Sequence, residues 1–191
     1  EGIQLSRGTL GEGISARAKL AGQILLSLIA ALMFSFYEGG FQFANTLQLP
    51  LLSGQIPVSP LIFVPIMMFI IIGMSNAINL TDGMDGLAGI ITASAFAAYG
   101  VIAFLQEQVF VMQLCFVLVG ACFAFLWFNA HPADLFMGDV GSLALGATLG
   151  MVAVMTGEWL LLPIIAIVPV AETLSVILQV ASAKFSRRYL G

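Results

Sequence analysis

Two short stretches of this chain hold most of the side chains that could do chemistry. They cover residues 76–86 and 129–139. Together they contain four of the ten acidic residues, each near glycine or asparagine: Asp82, Asp85, Asp134 and Asp139. Carboxylate and amide oxygens beside glycines are typical of sites for Mg²⁺ or for phosphate groups. Acidic side chains in an apolar chain are mostly kept for function.

The first stretch has a regular spacing. Asn76, Asn79, Asp82 and Asp85 follow one another every three residues. On a helix that continues through them, this spacing aligns four oxygen-bearing side chains along one stripe. Such a stripe would hold Mg²⁺ or hydrogen-bond a sugar or nucleotide. The alternative is that Asp82 and Asp85 are solvated N-cap residues of the next helix, which leaves the two asparagines unexplained.

The second stretch places an acid at the expected start of a helix. Asp139 lies between Gly138 and Gly141, and the free N–H groups of a helix N-terminus favour anions. A carboxylate there is expected to ligate Mg²⁺, the hard cation that suits an all-oxygen ligand set. His131, the only histidine, is either structural or part of the site, and Phe136 is either an interfacial aromatic or a base-stacking partner.

The sequence lacks the motifs of several other classes of enzyme. The chain has no Walker-type phosphate loop, no Ser/His/Asp set and no zinc-ligand spacing. The residues alone therefore predict a Mg²⁺-dependent reaction of the phosphoryl type and leave the substrate open.

The elements that position these residues belong in a membrane. Only 8% of residues are charged, 60% are hydrophobic and the mean hydropathy is +1.07, whereas soluble proteins carry roughly 25% charged residues. Six apolar runs approach the roughly 20 residues that a bilayer helix needs. They cover residues 20–37, 61–79, 86–105, 109–128, 141–157 and 159–183. We predict an all-α polytopic bundle forming a single membrane domain, 1–191.

Smaller features refine this fold. A short external β-hairpin is expected between residues 38 and 60, where apolar and polar residues alternate at 41–49. Pro163 and Pro169 predict a bend in the last span. Cys115 and Cys122 are interpreted as packing residues. Glu172, at membrane depth, has either an interhelical hydrogen bond to Ser or Thr or a site role.

Charge predicts the orientation. All six basic residues lie near the two ends of the chain: Arg7, Arg17, Lys19, Lys184, Arg187 and Arg188. The positive-inside rule then places both ends in the cytoplasm, as an even number of spans requires. Both acidic stretches fall on the cytoplasmic face, and Glu38, Glu107 and Glu158 fall outside.

At its motifs the chain resembles the polyprenyl-phosphate N-acetylhexosamine-1-phosphate transferases. The resemblance is carried by residues 13–20, 76–89, 127–142 and 172–179. Asn-Ala-His-Pro at 129–132, ahead of Phe-Met-Gly-Asp-Val-Gly-Ser at 136–142, favours the branch that uses UDP-MurNAc-pentapeptide over relatives that use UDP-N-acetylglucosamine. In that branch the phosphate of undecaprenyl phosphate attacks the sugar-linked phosphate of the donor. UMP leaves and lipid I forms for peptidoglycan biosynthesis.

The resemblance also implies roles for individual residues. Asp139 matches the magnesium ligand, with Asp82 and Asp85 as further candidates, and Lys19 matches a basic residue that faces the phosphates. These four form the expected catalytic set. The expected substrate-binding set, with Phe136 stacking on uracil and Asn129 a neighbouring polar contact, is Asn76, Asn79, Asp82, Asp85, Asn129, His131 and Phe136.

The resemblance further implies the setting. The cofactor is Mg²⁺, and the location is the bacterial inner membrane with the active site on the cytoplasmic face. The expected partners are UDP-MurNAc-pentapeptide, undecaprenyl phosphate, the lipid bilayer and a second copy in a homodimer, with no nucleic acid.

Two family features do not match. The family carries an adjacent Asp-Asp pair shortly before the Lys19 motif, where this chain has Glu1 and Gly2. The family also carries a His-rich loop and a last helix beyond the position of Arg188, and neither has a match in this chain. We interpret the chain as an internal fragment of a larger transferase that lacks the N-terminal helices, that loop and that helix.

Three other functions stay open. They are a sister transferase that uses UDP-N-acetylglucosamine or another UDP-sugar, an ion or proton transporter, and a non-catalytic membrane fragment or scaffold. A transporter predicts acids in mid-span, whereas Asp82, Asp85 and Asp139 are expected at helix ends.

Overall fold

The computed structural model describes residues 15–37, 41–49 and 54–190, with side chains up to residue 185. The elements in chain order are α1 (Ala16–Phe36), β1 (Thr46–Gln48), β2 (Gln55–Pro57), α2 (Pro60–Thr81), α3 (Leu87–Leu105), α4 (Val109–Asn129), α5 (Gly138–Met155), a 3₁₀ turn (Trp159–Leu161), α6 (Leu162–Ile165) and α7 (Ile167–Leu190). Six of the helices are long and apolar enough to cross a membrane, namely all but α6. This confirms the predicted all-α polytopic bundle.

Helices α2 and α5 pack closely against each other through two glycines. A Cβ atom built on Gly146 would lie 2.3 Å from the Met74 carbonyl oxygen, and one on Gly150 would lie 3.0 Å from the Ile70 carbonyl oxygen. Small residues let transmembrane helices approach this closely. Such close packing stabilises helix pairs in a membrane, where lipid removes the hydrophobic driving force for their association. The two helices run antiparallel, so the end of α2 lies beside the start of α5.

Helix α1 packs against α2. Its N-terminus is capped by Ser15, whose side chain accepts a hydrogen bond from the Ala18 amide at 3.3 Å. Towards its other end, Ala31 and Phe34 are buried in one cluster with Phe63 of α2. The first turn of α1 is thereby held beside the last turn of α2.

Helices α3 and α4 form a second antiparallel pair. Gly89 and Gly100 of α3 lie against side chains of α4, with Leu126 next to the first. Cys115 and Cys122 of α4 are buried free thiols, which confirms that they are packing residues.

The predicted hairpin forms, but it is shorter than the alternation suggested. Strands β1 and β2 pair antiparallel with Leu47 opposite Ile56, while residues 42–45 form turns. Phe43 and Gln48 lie next to Gly157, just after α5. The hairpin therefore covers the end of the bundle opposite to the start of α5.

The last span differs most from the prediction. The expected run 159–183 is divided into the 3₁₀ turn, α6 and α7, with Ala166 between the two helices at φ −105° and ψ 42°. The break lies between Pro163 and Pro169, which confirms the predicted bend. Among the described residues, the Glu172 Oε2 atom is buried without a hydrogen-bond partner, so that oxygen does not form the expected bond to Ser or Thr.

Some sequence-based interpretations concern residues outside the described ranges. They are those on Glu1, Gly2, Arg7 and Glu38, and on the side chains of Arg187 and Arg188.

Candidate active site at the ends of α1, α2 and α5

Asn79 connects the two acidic stretches. Its Nδ2 donates hydrogen bonds to Asp139 Oδ1 and to Ser142 Oγ, each at 2.9 Å. Ser142 is fully buried, and its hydroxyl donates to the Gly138 carbonyl oxygen at 3.0 Å. Both amide hydrogens of Asn79 are used in this way, so its orientation is fixed. Its carbonyl oxygen is then placed as an acceptor or metal ligand.

Lys19 completes this group from α1. Its ammonium group forms an ion pair with Asp139 Oδ2. The two oxygens of the Asp139 carboxylate thus contact α1 and α2 separately, while the side chain stays 49% exposed. We call Lys19, Asn79, Asp139 and Ser142 the Asp139 cluster. It combines a fixed anion, a cation and open access for a charged substrate.

Asp82 lies beside this cluster at the start of α5. It is the C-cap residue of α2, and its carboxylate accepts a hydrogen bond from the Gly138 amide. Burial raises the pKa of Asp82 above its usual value, and the Gly138 hydrogen bond opposes that rise only in part. The N-terminus of α5, whose free N–H groups were expected to favour an anion, is therefore contacted by a carboxylate of the protein itself.

The predicted stripe of four oxygen-bearing residues is wrong beyond Asp82. Helix α2 ends at Thr81, so Asp85 leaves the line of Asn76 and Asn79. The alternative is wrong as well, because the N-cap of α3 is Gly86, at φ 76°. Glycine adopts this left-handed conformation without strain. Its presence between Asp85 and α3 redirects the chain.

Asp85 instead forms a separate pair with the only histidine. The distance between Asp85 Oδ2 and His131 Nδ1 is 3.0 Å, and the same oxygen accepts a hydrogen bond from the Ala133 amide at 3.3 Å. The His131 side chain is 84% exposed. The carboxylate fixes one ring nitrogen and leaves the other in solvent, available to a substrate.

Asn129 joins the two loops that carry these residues. Its Oδ1 accepts from the Gly86 amide at 3.0 Å, and its Nδ2 donates to the Leu135 carbonyl oxygen at 2.7 Å. The residue is only 4% exposed. Sequence reasoning expected a direct polar contact with the substrate, whereas this geometry favours a role in positioning the loops.

A second polar group lies one helical turn deeper, and sequence reasoning missed most of it. Asn76 Nδ2 donates to Gln23 Oε1 at 3.1 Å, and Gln23 Nε2 donates to Ser75 Oγ at 3.1 Å. The Ser75 hydroxyl donates to the Leu143 carbonyl oxygen of α5 at 2.9 Å. Asn76 therefore contacts α1. The available signal was the spacing of four residues from Lys19 to Gln23.

The donor set fits a magnesium ion with few protein ligands. Within residues 15–37, 41–49 and 54–190, no three His, Cys, Asp or Glu side chains come close enough to enclose a metal. Mg²⁺ commonly binds through one or two carboxylates and takes its other ligands from water and substrate phosphates. Asp139 and the Asn79 carbonyl oxygen suit that mode, with Asp82 next to them. The Mg²⁺ requirement stays a prediction.

Two further features lie near the cluster. Phe136, in the loop before α5, is 71% exposed, so its ring is free to stack. An apolar groove of about 540 Å³ between α1, α2 and α5 opens beside Lys19 and Asp139. A phosphate held at the cluster would have apolar surface directly next to it.

The region from α1 to α5 matches a known protein family. Residues 12–157 fit glycosyl transferase family 4, and this range includes the whole Asp139 cluster. The chain belongs to glycosyl transferase family 4. The match covers well over half of the 191 residues and confirms the resemblance that the motifs indicated.

Proteins of the same name from three bacteria are similar to most of this chain. The phospho-N-acetylmuramoyl-pentapeptide-transferase of Chloroflexus aurantiacus is 44% identical over 178 residues, which is 92% of this chain and 48% of that protein. The transferase of the same name from Listeria innocua is 45% identical over 88% of this chain and 50% of its own length. The transferase of the same name from Wolbachia pipientis is 41% identical over 92% of this chain and 53% of its own length. The chain thus spans about half the length of these relatives.

Proposed function

We propose that the full-length protein transfers phospho-MurNAc-pentapeptide from UDP-MurNAc-pentapeptide to undecaprenyl phosphate, forming lipid I and UMP for peptidoglycan synthesis. The observation that carries this proposal is the convergence of Lys19, Asn79 and Asp139 at one end of a membrane-spanning bundle. The names of the relatives supply the transferred group, phospho-N-acetylmuramoyl-pentapeptide, and the family resemblance of the motifs implies the donor and the acceptor. The charge distribution supports placing this end at the cytoplasmic face of the inner membrane.

The reaction exchanges one phosphate linkage for another. An oxygen of the acceptor phosphate forms a bond to the sugar-linked phosphorus of the donor. The bond from that phosphorus to the bridging oxygen breaks, and the electron pair leaves with UMP. Since both reactants are anions, bringing them together requires positive charge and fixed geometry, which supply most of the catalysis in phosphoryl transfer.

The cluster is suited to that requirement. Lys19, at the edge of the apolar groove, can reach a phosphate while remaining near Asp139. Asn79 and Ser142 fix the carboxylate of Asp139, so its oxygens do not have to reorganise when the substrates arrive. Bound Mg²⁺ would supply further neutralisation of phosphate charge.

The open face of the site suits the nucleotide. Phe136 precedes Asp139 by three residues, and its exposed ring can stack on uracil while the diphosphate lies at the cluster. The pair of His131 with Asp85 adds a second polar contact point for the donor. An acceptor that joins a phosphate to a prenyl chain fits the boundary between the cluster and lipid.

Donor competition tests the substrate. The full-length protein with undecaprenyl phosphate and Mg²⁺ should release UMP from UDP-MurNAc-pentapeptide, and excess UDP-N-acetylglucosamine should leave that rate unchanged. Faster UMP release from UDP-N-acetylglucosamine would instead assign a sister transferase. Absence of UMP release from both donors would contradict the proposed activity.

A further inference from the structure

The polar group below the Asp139 cluster links the same three helices. Gln23 of α1 bonds to both Ser75 and Asn76 of α2 through the two ends of its amide. Ser75 continues the link to the backbone of α5 at Leu143. We call Gln23, Ser75 and Asn76 the Gln23 bridge. None of its hydrogen bonds contacts the reacting groups proposed above.

The bridge repeats the cluster one turn deeper. Three pairs of residues share a spacing of four positions along their helices: Lys19 and Gln23, Asn79 and Ser75, Asp139 and Leu143. Four residues correspond to about 6 Å of helix. The helices therefore meet twice in the same register, once at the cluster and once at the bridge.

The surrounding membrane makes the Gln23 bridge important for the position of α1. Apolar side chains pack as well against lipid as against another helix, so apolar contacts alone specify the register of a transmembrane helix weakly. Polar groups within the hydrocarbon region require a partner inside the protein. If α1 slid by one turn, Gln23 would leave Ser75 and Asn76, and Lys19 would leave Asp139.

We infer that Gln23 is a positioning residue that sets the register of α1 and thereby holds Lys19 at Asp139. Its catalytic consequence rests on the function proposed above, whereas its effect on Lys19 does not. A purely stabilising role would lower the melting temperature without changing the environment of Lys19 in the folded protein.

The test uses the full-length protein in detergent. Gln23→Leu removes the bridge at nearly constant size, and Gln113→Leu makes the same change on an exposed position of α4. The acylation rate of Lys19 by an amine-selective reagent is measured by mass spectrometry relative to exposed Lys184. Gln23→Leu should raise the relative rate several-fold, and Gln113→Leu should not change it. An unchanged rate in folded Gln23→Leu protein would overturn the inference.

Ser75→Ala provides a milder variant if Gln23→Leu does not fold. It removes the link between Gln23 and α5 and should also raise the labelling of Lys19. Unchanged labelling in this variant would equally overturn the inference. Because labelling needs no turnover, it separates failure of the positioning role from failure of the proposed activity.

Activity then shows whether Gln23 acts through Lys19. Since small displacements of catalytic groups cost about a hundredfold in rate, Gln23→Leu should lower kcat by about ten- to a hundredfold. In a Lys19→Ala background, the same substitution should have almost no further effect. Equal losses in both backgrounds would show that Gln23 acts independently of Lys19, against the inference.

Discussion

Asn79 and Asp139 lie 60 positions apart in the chain, and their side chains form a hydrogen bond of 2.9 Å. This bond joins the end of α2 to the first turn of α5, two helices that pack closely through Gly146. The position of the carboxylate is thus determined by the packing of α2 against α5 as well as by its place in the first turn of α5. Asp139 therefore supplies the negative charge of the cluster, and Asn79 fixes the direction of that carboxylate.

Asn79→Ala should reduce turnover while preserving the fold. The substitution frees one oxygen of Asp139 and leaves Ser142 with its bond to Gly138, so the carboxylate loses its fixed direction. We expect kcat to fall about ten- to a hundredfold, measured as UMP release. Gln113→Ala on α4 is the matched control. Turnover equal to that of the control would show that Asn79 does not position the site.

Asp82 should give the stability of the protein a distinct pH dependence. Its pKa in the folded state is raised above the ordinary 3.8 by burial, so the folded state favours the protonated carboxyl. Stability from this group is present below the unfolded pKa and is lost as the pH rises through the folded pKa. Asp82→Asn retains a hydrogen-bond acceptor for the Gly138 amide. Because asparagine does not titrate, the variant should not lose this stability as the pH rises.

Thermal unfolding of both proteins across acidic to neutral pH measures the effect. The variant should gain stability relative to wild type as the pH rises from about 3.8. If the wild type instead gains stability relative to Asp82→Asn, the ionised carboxylate is favoured by the fold, and burial is not the dominant influence.

Phe136→Ala should weaken binding of the nucleotide substrate more than binding of the lipid substrate. Stacking of an aromatic ring on a base contributes on the order of 1–3 kcal/mol, so UDP-sugar affinity should fall about tenfold to a hundredfold. Undecaprenyl phosphate carries no base, and its affinity should hardly change. Phe123→Ala, exposed on α4, is the control. A loss confined to the lipid substrate would exclude stacking and assign Phe136 to the lipid interface.

Membrane orientation is tested by single cysteines. A reagent restricted to the outside should label a cysteine at Glu107, between α3 and α4, and should not label one at Asp134, between α4 and α5. The endogenous Cys115 and Cys122 are buried and are replaced by alanine as background. Labelling at Asp134 alone would invert the proposed orientation.

The sequence predicts the spans well because each helix must be apolar along its own length. Hydropathy alone therefore locates six helices, and the two prolines near Ala166 locate the break. Helix ends are less predictable. The end of α2 at Thr81 depends on a glycine-containing loop that a three-residue spacing does not reveal.

Contacts between distant segments are the least predictable part of the site. The Asp85–His131 pair joins residues 46 positions apart, and the Gln23–Ser75 bond joins residues 52 apart. A spacing rule applies within one helix and carries no information about which faces meet. Lys19 and Asp139 were anticipated together only because family resemblance assigned both to one site.

UMP release by Asp139→Asn tests the central claim, that the Asp139 cluster is where phosphate is transferred. The substitution keeps the shape of the side chain and removes the charge that contacts Lys19. Asp134→Asn, an exposed position in the loop before α5, is the matched control. We predict that Asp139→Asn in the folded full-length protein loses most of its UMP release at saturating Mg²⁺ and that Asp134→Asn retains it. Near-normal release by Asp139→Asn would contradict the account and place the reaction elsewhere.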